Sequence, residues 1–169
     1  MRSLTLAFTL FAALGTGCAW VGSGQGLTVY DHPRALTSES QAFVRDVAAH
    51  WPDSQGLTDH TVFLLMLTES DDPVDQGVIR EILPLADRHR RAGFSLMELQ
   101  RDRADLGAPQ WAFLSDLFAP MSLEEMSTPT GLVFDVHGNV LAHCEWSESG
   151  RGPSVRRVEQ VITQALETN

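Results

Sequence analysis

The segment from Thr128 to Trp146, TPTGLVFDVHGNVLAHCEW, restricts the fold of this chain more than any other part of it. Its first apolar run, residues 132–136, is followed by His137-Gly138-Asn139 and then by a second run, residues 140–146. Glycine and asparagine tolerate the positive φ of a tight turn, so the pattern predicts a β-hairpin. Apolar residues at helical spacing follow from residue 153 to 168 and predict a closing helix.

Upstream of the hairpin, strand patterns alternate with helix patterns. The predicted strands are residues 27–30, 61–68 and 94–99, and the predicted helices are residues 39–51, 78–92 and 111–118. Between Thr61 and Thr68 the run is apolar throughout, which is typical of a central strand covered on both faces. Residues 61–99 therefore predict a βαβ unit with parallel strands and a right-handed crossover.

The resulting order, β-α-β-α-β-α-β-β-α, resembles the thioredoxin-like superfamily, and in particular its periplasmic, TlpA-like members. Pro129 before the hairpin and Pro84 inside the second helix are two further points of likeness. The resemblance covers residues 27–168 and implies an α/β fold: a three-layer α/β/α sandwich around a mixed sheet of four to five strands. It also implies a cis-proline loop, formed by Thr128, Pro129 and Thr130, that faces the reactive site.

Thioredoxin-like enzymes carry a Cys-x-x-Cys pair between the central strand and the second helix, whose N-terminus lowers the pKa of the attacking thiol. Counted from the strand, the matching segment here is Ser70-Asp71-Asp72-Pro73-Val74. Counted back from Pro84, it is Gln76-Gly77-Val78-Ile79. Neither segment contains a cysteine. Because dithiol exchange needs one sulfur to attack and one to resolve, we expect a degenerate site without catalytic residues.

Only two cysteines occur in the chain, Cys18 and Cys144. Cys144 lies in the second hairpin strand, where a cysteine is usually a small buried residue. The alternative function is a thiol-disulfide oxidoreductase or peroxidase-type enzyme that uses Cys144 as its single cysteine, or a redox partner joined through either thiol. We expect the first interpretation, in which Cys144 is structural.

An acidic cluster precedes and begins the second helix, and consists of Glu69, Asp71, Asp72 and Asp75. Carboxylates bind hard cations such as calcium, which gives a third interpretation, an acidic metal-binding protein. Carboxylates also cap and stabilise helix N-termini, and the spacing matches no calcium loop. We therefore expect no metal and no cofactor. No histidine lies close in sequence to Ser70, so its hydroxyl lacks an obvious base.

Residues 1–19 have the three parts of a secretory signal: a charged start, an apolar centre from Leu4 to Leu14, and an exit of small residues. The exit also resembles a bacterial lipoprotein signal that would be acylated at Cys18, although its leucine lies one place too far upstream. Lipidation, simple cleavage and an uncleaved anchor remain open, and each predicts export. Residues 20–26 predict a flexible glycine and serine linker, and residues 27–169 the folded domain.

The net charge of −10 argues against nucleic acid and anionic membrane surfaces as electrostatic partners. The expected protein is a periplasmic or membrane-anchored bacterial domain without redox activity, tethered at most through its N-terminus. Active relatives bind extended peptide around the cis-proline by backbone hydrogen bonds. We therefore expect a binding or chaperone-like module for an envelope protein or peptide. Four apolar residues could rim that surface, although we expect them in the core: Trp111, Phe113, Phe118 and Met121.

Overall fold

The computed structural model describes residues 20–24, 26–50, 61–123, 126–147 and 151–168, which contain six strands and four α-helices. The strands are β1 (Trp20–Gly24), β2 (Leu27–Ala35), β3 (Val62–Thr68), β4 (Phe94–Gln100), β5 (Thr130–Asp135) and β6 (Asn139–Glu145). The helices are α1 (Ser38–His50), α2 (Pro73–His89), α3 (Ala108–Phe118) and α4 (Val155–Thr168). A short 3-10 turn, Arg90–Ala92, follows α2.

The six strands form one mixed sheet with the order β1-β2-β6-β5-β3-β4. β3 and β4 are parallel, and every other pair of neighbours in the described sheet is antiparallel. The β3-α2-β4 unit confirms the predicted parallel pairing, and β5-β6 confirms the predicted hairpin. The architecture is therefore mixed α/β, as expected.

Helices cover both faces of the sheet. The even-numbered residues of β3, from Val62 to Met66, pack under α2 and α4. The odd-numbered residues, from Phe63 to Leu67, pack under α1 and α3. All seven residues of β3 are therefore buried, and each large apolar side chain contributes about 1.5–3 kcal/mol on burial. This is the physical reason for the unbroken apolar run in the sequence.

The hairpin turn is held by a single buried carboxylate. Asp135 accepts hydrogen bonds from the backbone N–H groups of His137 and Asn139, both at 2.9 Å, and from the Asn139 amide at 2.8 Å. Gly138 has φ +78°, and a Cβ there would lie 2.7 Å from the Gln41 side chain. Both the conformation and the close approach of α1 therefore favour glycine at this position.

The linker prediction for residues 20–26 was wrong over Trp20–Gly24, which form the edge strand β1. Backbone pairing joins β1 to β2, with Trp20 opposite Tyr30 and Val21 opposite Val29. The sheet thus has six strands rather than the four to five expected. The composition gave no sign of this, because a strand can be specified by the backbone groups of its neighbour as well as by its own side chains.

β2 is also longer than predicted. We expected the first strand to span residues 27–30 and to end at Asp31-His32-Pro33, yet β2 continues to Ala35. Its pairing with β6 shifts register between Val29 and Arg34. Because proline has no N–H to donate to a ladder, such an irregularity is where a strand accommodates it.

Two of the predictions lie outside the described residues: the signal at 1–19 and its lipidation at Cys18. None of the helices in the described part of the chain combines the length and the apolar content needed to cross a bilayer.

Candidate functional site

The candidate site lies where β3 ends and α2 begins, the location that counting from the strand predicts. Asp72 is the N-cap of α2, and its Oδ1 accepts hydrogen bonds from the N–H groups of Val74 at 2.7 Å and Asp75 at 3.3 Å. Pro73 is the first helical residue, where its missing N–H leaves no bond unmade. The alternative segment, residues 76–79, lies inside the helix.

Asp75, three residues after the N-cap, is the most unusual polar group of the site. Its side chain is 1% exposed. Its Oδ2 accepts a hydrogen bond from the Glu69 N–H at 2.6 Å, whereas its Oδ1 has no partner among the described residues. Burial raises the pKa of the Asp75 carboxyl, and the hydrogen bonds from the Glu69 N–H and the Thr128 hydroxyl only partly oppose this rise.

The bond between Thr128 and Asp75 brings the proline loop against the first turn of α2. The Thr128–Pro129 peptide bond is cis, as is Ala119–Pro120. The Pro129 carbonyl accepts a hydrogen bond from the Trp146 N–H at 3.1 Å. The loop is thus held on one side by the end of the hairpin and on the other by α2.

Thr130, the last residue of the cis-proline loop, contacts the buried histidine His143. The Thr130 hydroxyl donates to the Cys144 carbonyl at 3.0 Å and lies 3.0 Å from Nε2 of His143. A hydroxyl has one proton, and a carbonyl can only accept, so His143 must donate from Nε2. Burial lowers the pKa of His143, and the Glu145 carboxylate at 3.6 Å partly restores it. His143 therefore acts as a structural hydrogen-bond donor to Thr130.

The end of β3 is cross-linked to the end of β4 by two consecutive polar pairs. Asp102 accepts from the Ser70 N–H at 2.9 Å and from the Ser70 hydroxyl. Arg103 pairs with the exposed carboxylate of Asp71 at 3.3 Å. Pairing between parallel strands thus continues beyond the sheet as side-chain contacts, which hold the segment before α2 in place.

Arg101 forms the strongest link of this group. It donates from Nε to Glu69 at 2.7 Å and makes a second, shorter contact to the same carboxylate oxygen. It also donates to the carbonyls of Leu123 at 3.2 Å and Met126 at 2.9 Å. One guanidinium therefore joins β3, β4 and the segment before Pro129, a role that the sequence did not indicate.

The contacts of Ser70 argue against a catalytic hydroxyl. Its hydroxyl proton is directed at Asp102, and the Ser70 hydroxyl and N–H together lower the pKa of that carboxylate. A carboxylate with a lowered pKa is a weak base. Ser70 thus positions the loop.

Cys144 is fully buried, and burial raises the pKa of its thiol to about 12. A thiol in this environment is almost entirely protonated near neutral pH, and the thiolate is the reactive form. The geometry argues against the alternative function in which Cys144 is a nucleophile.

The four apolar residues considered for the rim divide into two groups. Phe113 and Phe118 are buried in the core between α3 and the sheet. Trp111 is 45% exposed and Met121 is 41% exposed, so the expectation of core placement was wrong for these two. Helical periodicity predicts which face of α3 is buried, but Met121 lies in the loop after α3, where no periodicity applies.

Sequence reasoning ended the degenerate motif at Val74 and so missed the specific position of Asp75. The two cysteines of a Cys-x-x-Cys motif lie three residues apart. With Asp72 as the N-cap of α2, the corresponding pair at the start of the helix is Asp72 and Asp75. The signal was available: Asp followed by Pro marks a helix N-cap and its first residue. What the sequence could not indicate is that Asp75 is buried and interacts with Thr128.

No group of three His, Cys, Asp or Glu side chains suited to a metal ion occurs in the described part of the chain. Comparison of the chain with family models, with curated proteins and with solved structures gave no match.

Proposed function

We propose that this protein is a thioredoxin-like domain that has lost dithiol chemistry and binds extended segments of envelope proteins. The observation that carries the proposal is the pair Asp72 and Asp75 at the first turn of α2, against the cis-proline loop. In the family, this junction holds the Cys-x-x-Cys pair. The three-layer arrangement of helices around the β3-α2-β4 unit and the β5-β6 hairpin also supports the resemblance.

We propose that the peptide pairs beside these carboxylates, at the backbone of Thr128. Among the described residues, no backbone–backbone hydrogen bond outside the helices and strands involves the N–H or the C=O of Thr128, and Thr128 is half-buried. An extended peptide could pair with both groups, as in the addition of a strand to a sheet edge. The exposed side chain of Met121, in the segment joining α3 to this loop, supplies apolar surface.

The predicted secretory signal at residues 1–19 supports an envelope location, with Cys18 as a candidate lipid anchor. Under this proposal the domain is exported and acts as a holder or adaptor of unfolded segments. The buried Cys144 thiol favours binding over thiol catalysis.

The first part of the proposal, that the domain is thioredoxin-like, is tested by introducing two cysteines at the start of α2. The double variant Asp72→Cys/Asp75→Cys places two thiols at the N-cap and one turn later, where side chains lie about 5–6 Å apart, within reach of a disulfide. We expect this variant to form a disulfide and to catalyse insulin reduction by dithiothreitol. The matched variant Asp71→Cys/Val74→Cys, with equal spacing one residue earlier, should be much less active. Equal activity of both variants, or a folded first variant without a disulfide, contradicts the proposal.

The second part of the proposal, that the domain binds extended protein segments, is tested by photo-crosslinking to an unfolded protein. Benzoylphenylalanine at Met121 should capture carboxymethylated, permanently unfolded α-lactalbumin. The same residue at Leu83, which is 52% exposed on α2 and about 15 Å along the helix from its start, should capture much less. Equal capture at both positions would show that binding is non-specific. Peptides methylated on alternate backbone nitrogens should lose affinity, because they cannot pair with the Thr128 carbonyl.

A further inference from the structure

A groove of about 440 Å³ opens between α1 and α3, on the face of the sheet opposite α2 and α4. Its volume is typical of ligand pockets, which span about 300–1,000 Å³. Much of its apolar floor comes from Ala42 and Phe43 on α1 and from Ala112 and Phe113 on α3. None of the described residues that line it belongs to the start of α2 or to the cis-proline loop. The α1–α3 groove is therefore separate from the peptide site at Thr128.

Both helices present the same short pattern to the groove, Ala-Phe-x-x-Asp, at residues 42–46 of α1 and 112–116 of α3. Positions three and four residues apart share one face of a helix. Near the start of α1, Thr37 donates from its N–H and its hydroxyl to Asp116, both at 2.8 Å. The two phenylalanine rings meet midway, with centroids 4.9 Å apart. The helices therefore run in opposite directions, which places one aspartate at each end of the groove.

The rim of the groove is negatively charged. Glu39, Asp46 and Asp116 line it, and among the described lining residues none is basic. Arg34, outside the lining, makes a long ion pair of 3.8 Å with Asp116. Burial opposes the ionisation of Asp116, but hydrogen bonds from neighbouring serine and threonine groups, together with Arg34, lower its pKa. The groove thus combines an apolar floor with negative charge at both ends.

We propose that the α1–α3 groove docks an amphipathic helix of a partner protein, which places apolar side chains on the floor and an arginine or lysine at each end. Binding of such a helix in a groove is a recurring mode of recognition. A helix satisfies its own backbone groups, whereas an extended peptide needs backbone partners. The walls here are helices, whose backbone groups are mostly bonded internally. A second copy of this chain fits less well, because each copy carries a net charge of −10 and the carboxylates would face each other.

The spacing of the carboxylates on α1 defines the pattern expected of the partner. Glu39 and Asp46 are seven positions apart in the sequence, which corresponds to about 10 Å along a helix axis. A partner helix lying along the groove should therefore carry basic residues at positions i and i+7. Its apolar residues should lie at i+3 and i+4, on the same face. Charge at an exposed rim contributes more to specificity than to affinity, so the apolar contact should supply most of the affinity.

The test uses fluorescent helical peptides of about eighteen residues, added to the full chain and followed by fluorescence anisotropy. Each peptide carries leucine at i+3 and i+4, and either Arg, Gln or Glu at both i and i+7. At low salt the Arg peptide should bind about tenfold more tightly than the Gln peptide, and the Glu peptide should bind most weakly. Added salt should reduce this preference. Replacing both leucines by alanine should weaken binding by about tenfold or more.

Charge variants of the protein show whether the carboxylates of the groove select the peptide. Glu39→Gln/Asp46→Asn should lose most of the preference for the Arg peptide. The matched control is Glu81→Gln/Asp87→Asn, which makes the same change of charge at exposed positions of α2, on the other face of the sheet. This control should keep the preference.

A steric variant shows whether the peptides occupy the groove itself. Ala42→Gln/Ala112→Gln fills the groove at two exposed positions with a residue of good helix propensity. It should keep the circular dichroism of the wild type and bind every peptide about tenfold more weakly or worse.

Four results would overturn the proposal: no binding of any peptide, equal affinity for the Arg, Gln and Glu peptides, an unchanged Arg preference in Glu39→Gln/Asp46→Asn, or undiminished binding to the folded steric variant. Because the groove and the cis-proline loop share no described residue, capture of unfolded protein at Met121 is measured independently. Failure of the docking proposal therefore leaves the proposed function standing, and failure of capture at Met121 leaves the docking proposal standing.

Discussion

The buried carboxyl of Asp75 should make the fold less stable at neutral pH than it would be with a neutral side chain. In the wild-type protein the Glu69 N–H donates to Asp75 Oδ2 at 2.6 Å. Asparagine at this position keeps an oxygen that can accept the same hydrogen bond. Its amide group can donate to the Thr128 hydroxyl or to the neighbouring carboxylates. Leaving a buried polar atom unpaired costs about 1–3 kcal/mol. We therefore expect Asp75→Asn to raise the free energy of unfolding by about 1 kcal/mol near neutral pH, or Tm by about 2–4 °C.

The stability difference between Asp75→Asn and the wild type should depend on pH, in a direction set by the raised pKa of Asp75. Burial raises the pKa of Asp75 in the folded state, so the folded protein holds the proton more tightly than the unfolded chain. The wild type is thus relatively most stable below the unfolded pKa of about 3.9 and loses that stability as pH rises through the folded pKa. The gain from asparagine should be present at neutral pH and vanish in acid.

Urea unfolding of both proteins, followed by circular dichroism between about pH 3.5 and 7, measures the difference directly. Asp71→Asn is the control, because Asp71 is exposed and its pair with Arg103 contributes little. A gain for Asp75→Asn that is the same at every pH would refute the linkage to ionisation. Destabilisation at neutral pH would show that the unpaired oxygen is not a cost to the fold.

Two other outcomes follow from the contacts, and a third follows from the sequence of residues 1–19. Arg101→Ala should lower the free energy of unfolding by about 2–3 kcal/mol, since it removes bonds to Glu69 and two carbonyls; a Tm unchanged from wild type in thermal scans contradicts this. Cys144 should resist iodoacetamide at about pH 8 in the folded protein and react once urea unfolds it, as followed by mass spectrometry; rapid labelling of folded protein would revive the thiol-enzyme alternative. Bacteria producing the full chain should export it, so the protein should be recovered from the cell envelope, where mass spectrometry distinguishes lipidation at Cys18, simple cleavage and an uncleaved anchor; a full-length protein confined to the cytoplasm argues against export.

Local patterns in the sequence determined the elements that depend on neighbouring residues. The apolar run from Val62 to Leu67 requires cover on both faces, and Gly138 with Asn139 permits the hairpin turn. Asp72 followed by Pro73 marks the start of α2. These features act within a few residues, so they can be read without knowing the rest of the fold. The absence of a Cys-x-x-Cys pair at this junction was equally evident.

Tertiary structure alone decided the features that join distant segments. β1 forms by backbone pairing with β2. The composition of residues 20–26 had instead indicated a flexible linker. Arg101 joins three segments, and Asp75 is buried and interacts with Thr128 from a distant part of the chain. Hydrogen bonding and desolvation at a point in space depend on every segment that reaches it. The sequence therefore determined which residues begin α2, and only the fold made one of them a buried, incompletely paired carboxylate.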